Sequence, residues 1–117
     1  MFVSINPATG QTLARYPAHD AVDCHRLLDA AQAAYRDWRD TPLAERLDCL
    51  RRLADLLETR VDRLADLATR EMGKRLAESQ AEVRRCARVC RFYAKMAPKW
   101  LADELVPAET EIGRAHV

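Results

Sequence analysis

From Leu43 onward, apolar residues recur at alternating steps of four and three: Leu43, Leu47, Leu50, Ala54, Leu57, Val61, Leu64 and Ala68. Arg46, Asp48, Arg51, Arg52, Asp55, Glu58, Arg60, Asp62 and Arg63 fill the other faces. A period near 3.6 places the apolar set on one side of an α-helix, and the spacing predicts a helix over about 42–72. Leu53, Leu56 and Leu67 widen the stripe beyond a strict coiled-coil seam, so it suits a globular core. At about 30 residues the pattern is long for a globular helix, and a kink near Thr59 is expected. Thr41 reads as its cap, Pro42 as its first helical residue, and Glu45 falls in its first turn.

Two more stretches carry the same period. Asp20 reads as an N-cap with Asp23 in the first turn. Cys24, Leu27, Leu28, Ala31, Ala34, Tyr35 and Trp38 then form one apolar face of a helix over about 20–40. After Gly73, a helix C-cap flanked by Lys74 and Arg75, the set Leu76, Gln80, Val83, Ala87, Cys90, Ala94 and Ala97 predicts a helix over about 76–97. Cys86, Val89 and Tyr93 broaden its buried side, and Pro98 is expected to end or kink it. Trp100 and Leu101 extend it at most briefly, and Leu105-Val106-Pro107 reads as extended chain. At the N-terminus, Phe2, Val3 and Ile5 form one strand-like run and Thr12 to Tyr16 another, which predicts a β-hairpin over about 2–16. Asn6, Pro7 and Gly10 between them are turn residues, and a single glycine makes no phosphate cradle. The expected fold class is therefore mainly α: an N-terminal β-hairpin plus three long amphipathic helices.

Length limits this to one small domain, at 117 residues. A net charge of +1, from 19 Lys and Arg against 18 Asp and Glu, gives no electrostatic case for nucleic acid or an anionic membrane as partner. Aromatics at 6% argue against base-stacking platforms. Apolar content of 49% with 32% charged residues is a foldable composition, and no run nears the roughly 18 apolar residues that cross a bilayer. Met1 to Pro7 lack the basic and apolar regions of a signal peptide, so the expected compartment is the cytoplasm.

Cys24, Cys49, Cys86 and Cys90 are the four cysteines. Without a secretory context they do not imply disulfides. Cys86 and Cys90, one helical turn apart, with the adjacent Cys24-His25, are the only candidates for zinc. The chain lacks a C-x-x-C and a second close pair, so small hydrophobes at helical positions is the simpler reading. No local base or helix N-terminus marks one of them as a nucleophile.

Four blocks appear in order: Ile5-Asn6-Pro7-Ala8-Thr9-Gly10, Ala30-Ala31-Gln32-Ala33-Ala34-Tyr35-Arg36-Asp37-Trp38, Thr41-Pro42-Leu43-Ala44-Glu45-Arg46 and Glu71-Met72-Gly73-Lys74. Together they resemble the N-terminal part of the aldehyde dehydrogenase superfamily. Glu82-Val83-Arg84-Arg85-Cys86-Ala87-Arg88-Val89-Cys90, Phe92-Tyr93-Ala94 and Leu101-Ala102-Asp103-Glu104 are similar to its bacterial NAD(P)-dependent succinate-semialdehyde dehydrogenase branch. Arg75 departs from the usual proline after Gly-Lys.

The resemblance implies a parent enzyme, a homo-oligomer, that oxidises an aldehyde such as succinate semialdehyde to a carboxylate. A cysteine thiolate attacks the carbonyl, hydride passes to NAD or NADP, and a glutamate-activated water hydrolyses the thioester. The matched segment, about 1–110, precedes that machinery. None of the four cysteines aligns with the nucleophile, and Glu71 and Lys74 are neither the general base nor the cofactor lysine. No catalytic, cofactor-binding or metal residue carries over, and no cofactor is expected to bind this fragment, whose partner is the remainder of the enzyme. Residues 111–117 depart from the family pattern and match the translation of a sequencing adapter, so read-through is expected there. The Leu43–Ala68 stripe is worth about 10 kcal/mol if covered, against a typical domain stability of about 5–15 kcal/mol. Poor solubility and an inactive isolated chain are therefore expected. The rival reading is a stand-alone helical module that binds partner helices without catalysis.

Overall fold

The computed structural model describes residues 1–105. Two strands, β1 (Phe2–Ile5) and β2 (Thr12–Tyr16), precede four helices: α1 (Ala21–Arg39), α2 (Leu43–Thr59), α3 (Val61–Met72) and α4 (Leu76–Trp100). The mainly helical class with an N-terminal hairpin is as expected, but the helices number four. The expected non-family tail, 111–117, and Val106-Pro107 lie outside the described residues.

β1 and β2 are antiparallel, pairing Phe2 with Tyr16, Val3 with Arg15, Ser4 with Ala14 and Ile5 with Thr12. Leu13 is the extra residue that shifts the register after Ser4. The turn is built by the chemistry of its side chains. The Asn6 Oδ1 accepts from the Ala8 amide at 2.9 Å, the Gly10 amide donates to the Asn6 carbonyl at 2.8 Å, and Gly10 takes φ +74°.

Asp20 caps α1, its Oδ1 accepting from the Asp23 amide at 2.8 Å. Thr41 does not cap α2: its hydroxyl donates back to the Asp37 carbonyl at 3.3 Å and its amide to Trp38 at 3.1 Å. The threonine seals the end of α1 instead, because that helix leaves carbonyls unpaired one turn before it. Pro42 takes the N-cap position of α2 with no side-chain cap, so the helix starts at Leu43, one residue later than expected.

The expected helix over 42–72 breaks at Arg60, which leaves helical geometry at φ −112° and ψ 16°. The ladder survives on both sides, the Arg60 amide donating to Leu56 at 3.1 Å and the Leu64 amide to Arg60 at 3.0 Å. Thr59, beside the break, donates its hydroxyl to the Leu56 carbonyl at 3.2 Å, the local competition that weakens helices at threonine. α3 stops at Gly73 in the left-handed conformation, φ +72°, its amide on the Thr69 carbonyl at 2.9 Å. α4 does not end before Pro98. It runs through it to Trp100, where the Leu101 amide closes on Ala97 at 2.9 Å. Pro98 sits in the last turn, where the missing amide costs a single ladder bond.

α4 lies antiparallel along α3 and then α2. The seam is made mostly of small residues: Ala54 on α2, Ala65 on α3, and Ser79, Ala87 and Ala94 on α4 are buried in it together with Leu47 and Val61. Leu43, Leu50, Leu57, Leu64 and Ala68 are half-buried along the same stripe. The residues expected to widen the two stripes, Leu53, Leu56, Leu67, Cys86, Val89 and Tyr93, are exposed. Among the described residues, α2 and α3 cover only one side of α4. α1 buries none of its residues; Leu28 remains 67% and Trp38 49% exposed. The result is extended, 68 × 40 × 24 Å, with a radius of gyration of 20.7 Å where a compact chain of this length has about 13 Å.

Candidate functional site

Two of the sequence blocks, far apart in the chain, meet in space. The hairpin turn sits on the α3–α4 corner, with the Ser4 hydroxyl donating to Glu71 Oε1 at 2.9 Å and Pro7 packed over Gly73. On the other side of the corner Lys74 pairs with Glu82, and its hydrogen bond and positive charge hold the Glu82 carboxyl below the usual carboxylate range. Arg75 forks onto Glu78 Oε1 at 3.0 and 2.6 Å. Beneath, the Thr69 and Ser79 hydroxyls bond at 3.0 Å, with Ser79 fully buried.

The second constellation ties α4 to α2. Arg91 donates to Glu58 at 2.6 and 2.9 Å and to Asp55 at 2.7 Å, and the Glu58 hydrogen bond pushes the guanidinium pKa up. Beside it, Glu58, Thr59, Val61, Asp62, Arg84 and Arg88 line a groove of about 480 Å³. Arg46 Nε is buried without a hydrogen-bond partner among the described residues. An unmet donor of this kind costs stability until something accepts from it.

The residues weighed for chemistry are scattered. Cys24 and Cys86 are exposed, Cys49 and Cys90 half-buried, and all four are free thiols. His25 bonds the Ala21 carbonyl through Nδ1 at 2.9 Å, and Arg52 donates to the Cys49 sulfur at 3.3 Å. No three His, Cys, Asp or Glu side chains are placed to hold a metal among the described residues. The described glycines are Gly10, in the hairpin turn, and Gly73, and at the start of α4 Lys74 pairs with Glu82 and Arg75 with Glu78. The corner and the Arg91 clamp can hold elements in register. Sequence reasoning missed the Arg91 clamp, although Asp55, Glu58 and Arg91 lie beside the apolar stripes of helices whose packing partner the period does not name.

The pattern of the Aldehyde dehydrogenase family matches residues 1–116. The chain is 48% identical over 106 residues to the "Probable succinate-semialdehyde dehydrogenase", NADP(+), of Synechocystis sp., covering 91% of this chain and 23% of that protein. The succinate semialdehyde dehydrogenase, NAD(P)+, of Escherichia coli K12 is 38% identical over 109 residues, covering 93% and 24%. Among solved structures, the succinic semialdehyde dehydrogenase of Streptococcus pyogenes, in complex with NADP+, superimposes with a TM-score of 0.85 at 30% identity, over 97% of this chain and 25% of that one. The chain thus spans about a quarter of the length of the relatives it matches. No helix among the described residues is long and apolar enough to cross a membrane. A hairpin docked on a helical corner, four helices in that order, and a family pattern running from end to end place the chain in the aldehyde dehydrogenase family, as its N-terminal part.

Proposed function

We propose that this chain is the N-terminal scaffold of an NAD(P)-dependent aldehyde dehydrogenase acting on a semialdehyde such as succinate semialdehyde. In the whole enzyme a cysteine thiolate adds to the aldehyde as a thiohemiacetal, hydride leaves to the nicotinamide, and water releases the carboxylate. The observation that carries the reading is the match to succinate-semialdehyde dehydrogenases over 91% of this chain at 48% identity. The chain's own contribution is geometric: the hairpin corner and the α2–α4 clamp set a frame. By itself the chain is inactive, its partner is the remainder of a homo-oligomeric cytoplasmic parent, and it takes neither nucleic acid nor a membrane.

The test is a hybrid in which this chain's matched segment replaces the corresponding quarter of the Synechocystis relative. The hybrid is expected to reduce NADP+ with succinate semialdehyde, and the 117-residue chain alone to reduce none. Turnover by the isolated chain, or a soluble hybrid without NADP+ reduction, overturns the reading.

A further inference from the structure

From Val83 to Trp100, α4 carries Arg84, Arg85, Arg88, Arg91, Lys95 and Lys99 and no acid, although the whole chain is nearly neutral. Four arginines elsewhere pair with an acid three or four residues away: Arg26 with Asp23, Arg51 with Asp48, Arg70 with Asp66 and Arg75 with Glu78. Arg91 finds its acids on α2, bonding both Glu58 oxygens and Asp55. Arg84 and Arg88 have neither arrangement. They are neighbours one helical turn apart, a like-charge pair that repels, and neither has a hydrogen bond or ion pair among the described residues. Both line the groove of about 480 Å³ at the α2–α3 break, together with Thr59 and Val61. The acids in the same lining are engaged, Glu58 by Arg91 and Asp62 by the Gln80 amide, which donates to its Oδ1 at 3.0 Å. Asp62 keeps its charge, which favours a ligand whose anionic end sits on the α4 side.

We propose that Arg84 and Arg88 bind the phosphoryl group of a small phosphate monoester, whose organic part lies in the groove beside Thr59 and Val61. Two guanidinium forks carry two charges and more donors than one carboxylate, with two oxygens and a single charge, can meet. A phosphate monoester brings a charge of about −1.5 to −2 and three acceptor oxygens, enough for both forks at once. The anion also removes the repulsion between the two arginines. Size favours an ester over the bare ion. At about 480 Å³ the groove falls within the roughly 300–1,000 Å³ of small-molecule sites, and a lone phosphate leaves most of it to water. The site is built from this chain's own helices and does not rest on the aldehyde chemistry proposed above.

The experiment is calorimetric titration with glycerol 3-phosphate and, separately, with inorganic phosphate. It is run on the isolated 117-residue chain and on the hybrid saturated with NADP+, so that the cofactor's own site is filled. Both proteins are expected to bind the ester, and to bind inorganic phosphate more weakly. Arg84→Gln with Arg88→Gln is expected to lower the affinity about tenfold or more. Arg84→Lys with Arg88→Lys, which keeps the charge without the fork, is expected to recover only part of it. Inorganic phosphate bound as tightly as the ester overturns the ester as the ligand. No binding of either probe to the hybrid, or equal affinity in the wild type and the glutamine pair, overturns the site. Binding by the isolated chain that the hybrid lacks means that the rest of the parent fills the groove, and overturns it likewise. Turnover is not the readout, so a hybrid that binds the ester without reducing NADP+ supports the site and counts against the proposed function alone.

Discussion

Pro7 lies so close over Gly73 that a β-carbon on the glycine would stand 3.0 Å from the proline Cγ. The two residues belong to blocks separated by most of the chain, and their contact, with Ser4 on Glu71, is what fastens the hairpin to the helices. Two constraints meet at Gly73: the close approach and a φ of +72°. A two-stranded hairpin is marginal alone, so this docking determines whether it persists.

Gly73→Ala is therefore expected to destabilise the hybrid by about 1–3 kcal/mol, the cost of a left-handed non-glycine residue plus the contact with Pro7. Adding Pro7→Ala restores the contact part and leaves the backbone part, so the double variant falls between the wild type and Gly73→Ala. Urea unfolding measures both. A double variant as unstable as the sum of the singles means the contact is not what Gly73 serves.

The seam between α4 and its partners depends on small side chains. Ala87 is fully buried, so Ala87→Leu forces side chains into a filled space and is expected to cost about 1–3 kcal/mol. Leu47, almost fully buried, is expected to cost about 2–5 kcal/mol as Leu47→Ala. The exposed neighbour Leu53 serves as the control in the isolated chain, where Leu53→Ala changes stability little. A larger loss at Leu53 than at Leu47 places the seam on the wrong side of α2.

Glu82 gives a pH dependence with a definite sign. Its folded pKa lies below its unfolded value because Lys74 bonds and faces the carboxylate. The stabilisation is present above the unfolded carboxylate pKa and is lost as pH falls through the lower folded value. The side chain is exposed, so the effect on stability is small and salt-screened. The sharper readout is the titration of the Glu82 carboxyl by NMR, expected to move up toward the ordinary value in Lys74→Met. An unmoved midpoint removes Lys74 as the cause.

Local chemistry in the sequence located the Asn6 turn, the Asp20 cap and the Gly73 stop, because each is a side chain or backbone preference acting within a few residues. Periodicity found the inward stripe of α2, α3 and α4 for the same reason. It failed where the outcome depends on what lies across the interface. Val89, Tyr93, Leu53 and Leu67 are apolar at helical spacing, which says they suit burial but not that this segment supplies the cover. Thr41 closes α1 rather than capping α2 because a threonine between two helices can satisfy either end, and here its hydroxyl donates to the Asp37 carbonyl. Family resemblance located the chain within a larger enzyme but transferred no catalytic residue, and Glu71 and Lys74 are engaged by Ser4 and Glu82.

The last prediction concerns α1. Nothing in it is buried, and its apolar face from Cys24 through Leu28 and Tyr35 to Trp38 meets solvent. Helical stability in water comes mainly from packing such a face, and a 19-residue helix with a capped start is marginal without it. In the isolated chain the α1 amides are therefore expected to exchange with deuterium far faster than those of α4, whose seam residues are sealed. In the hybrid the α1 amides slow toward the α4 rates, because the remainder of the enzyme supplies the missing partner. Equal and slow exchange of α1 and α4 in the isolated monomer means the segment is self-sufficient, and the scaffold reading then loses its physical basis.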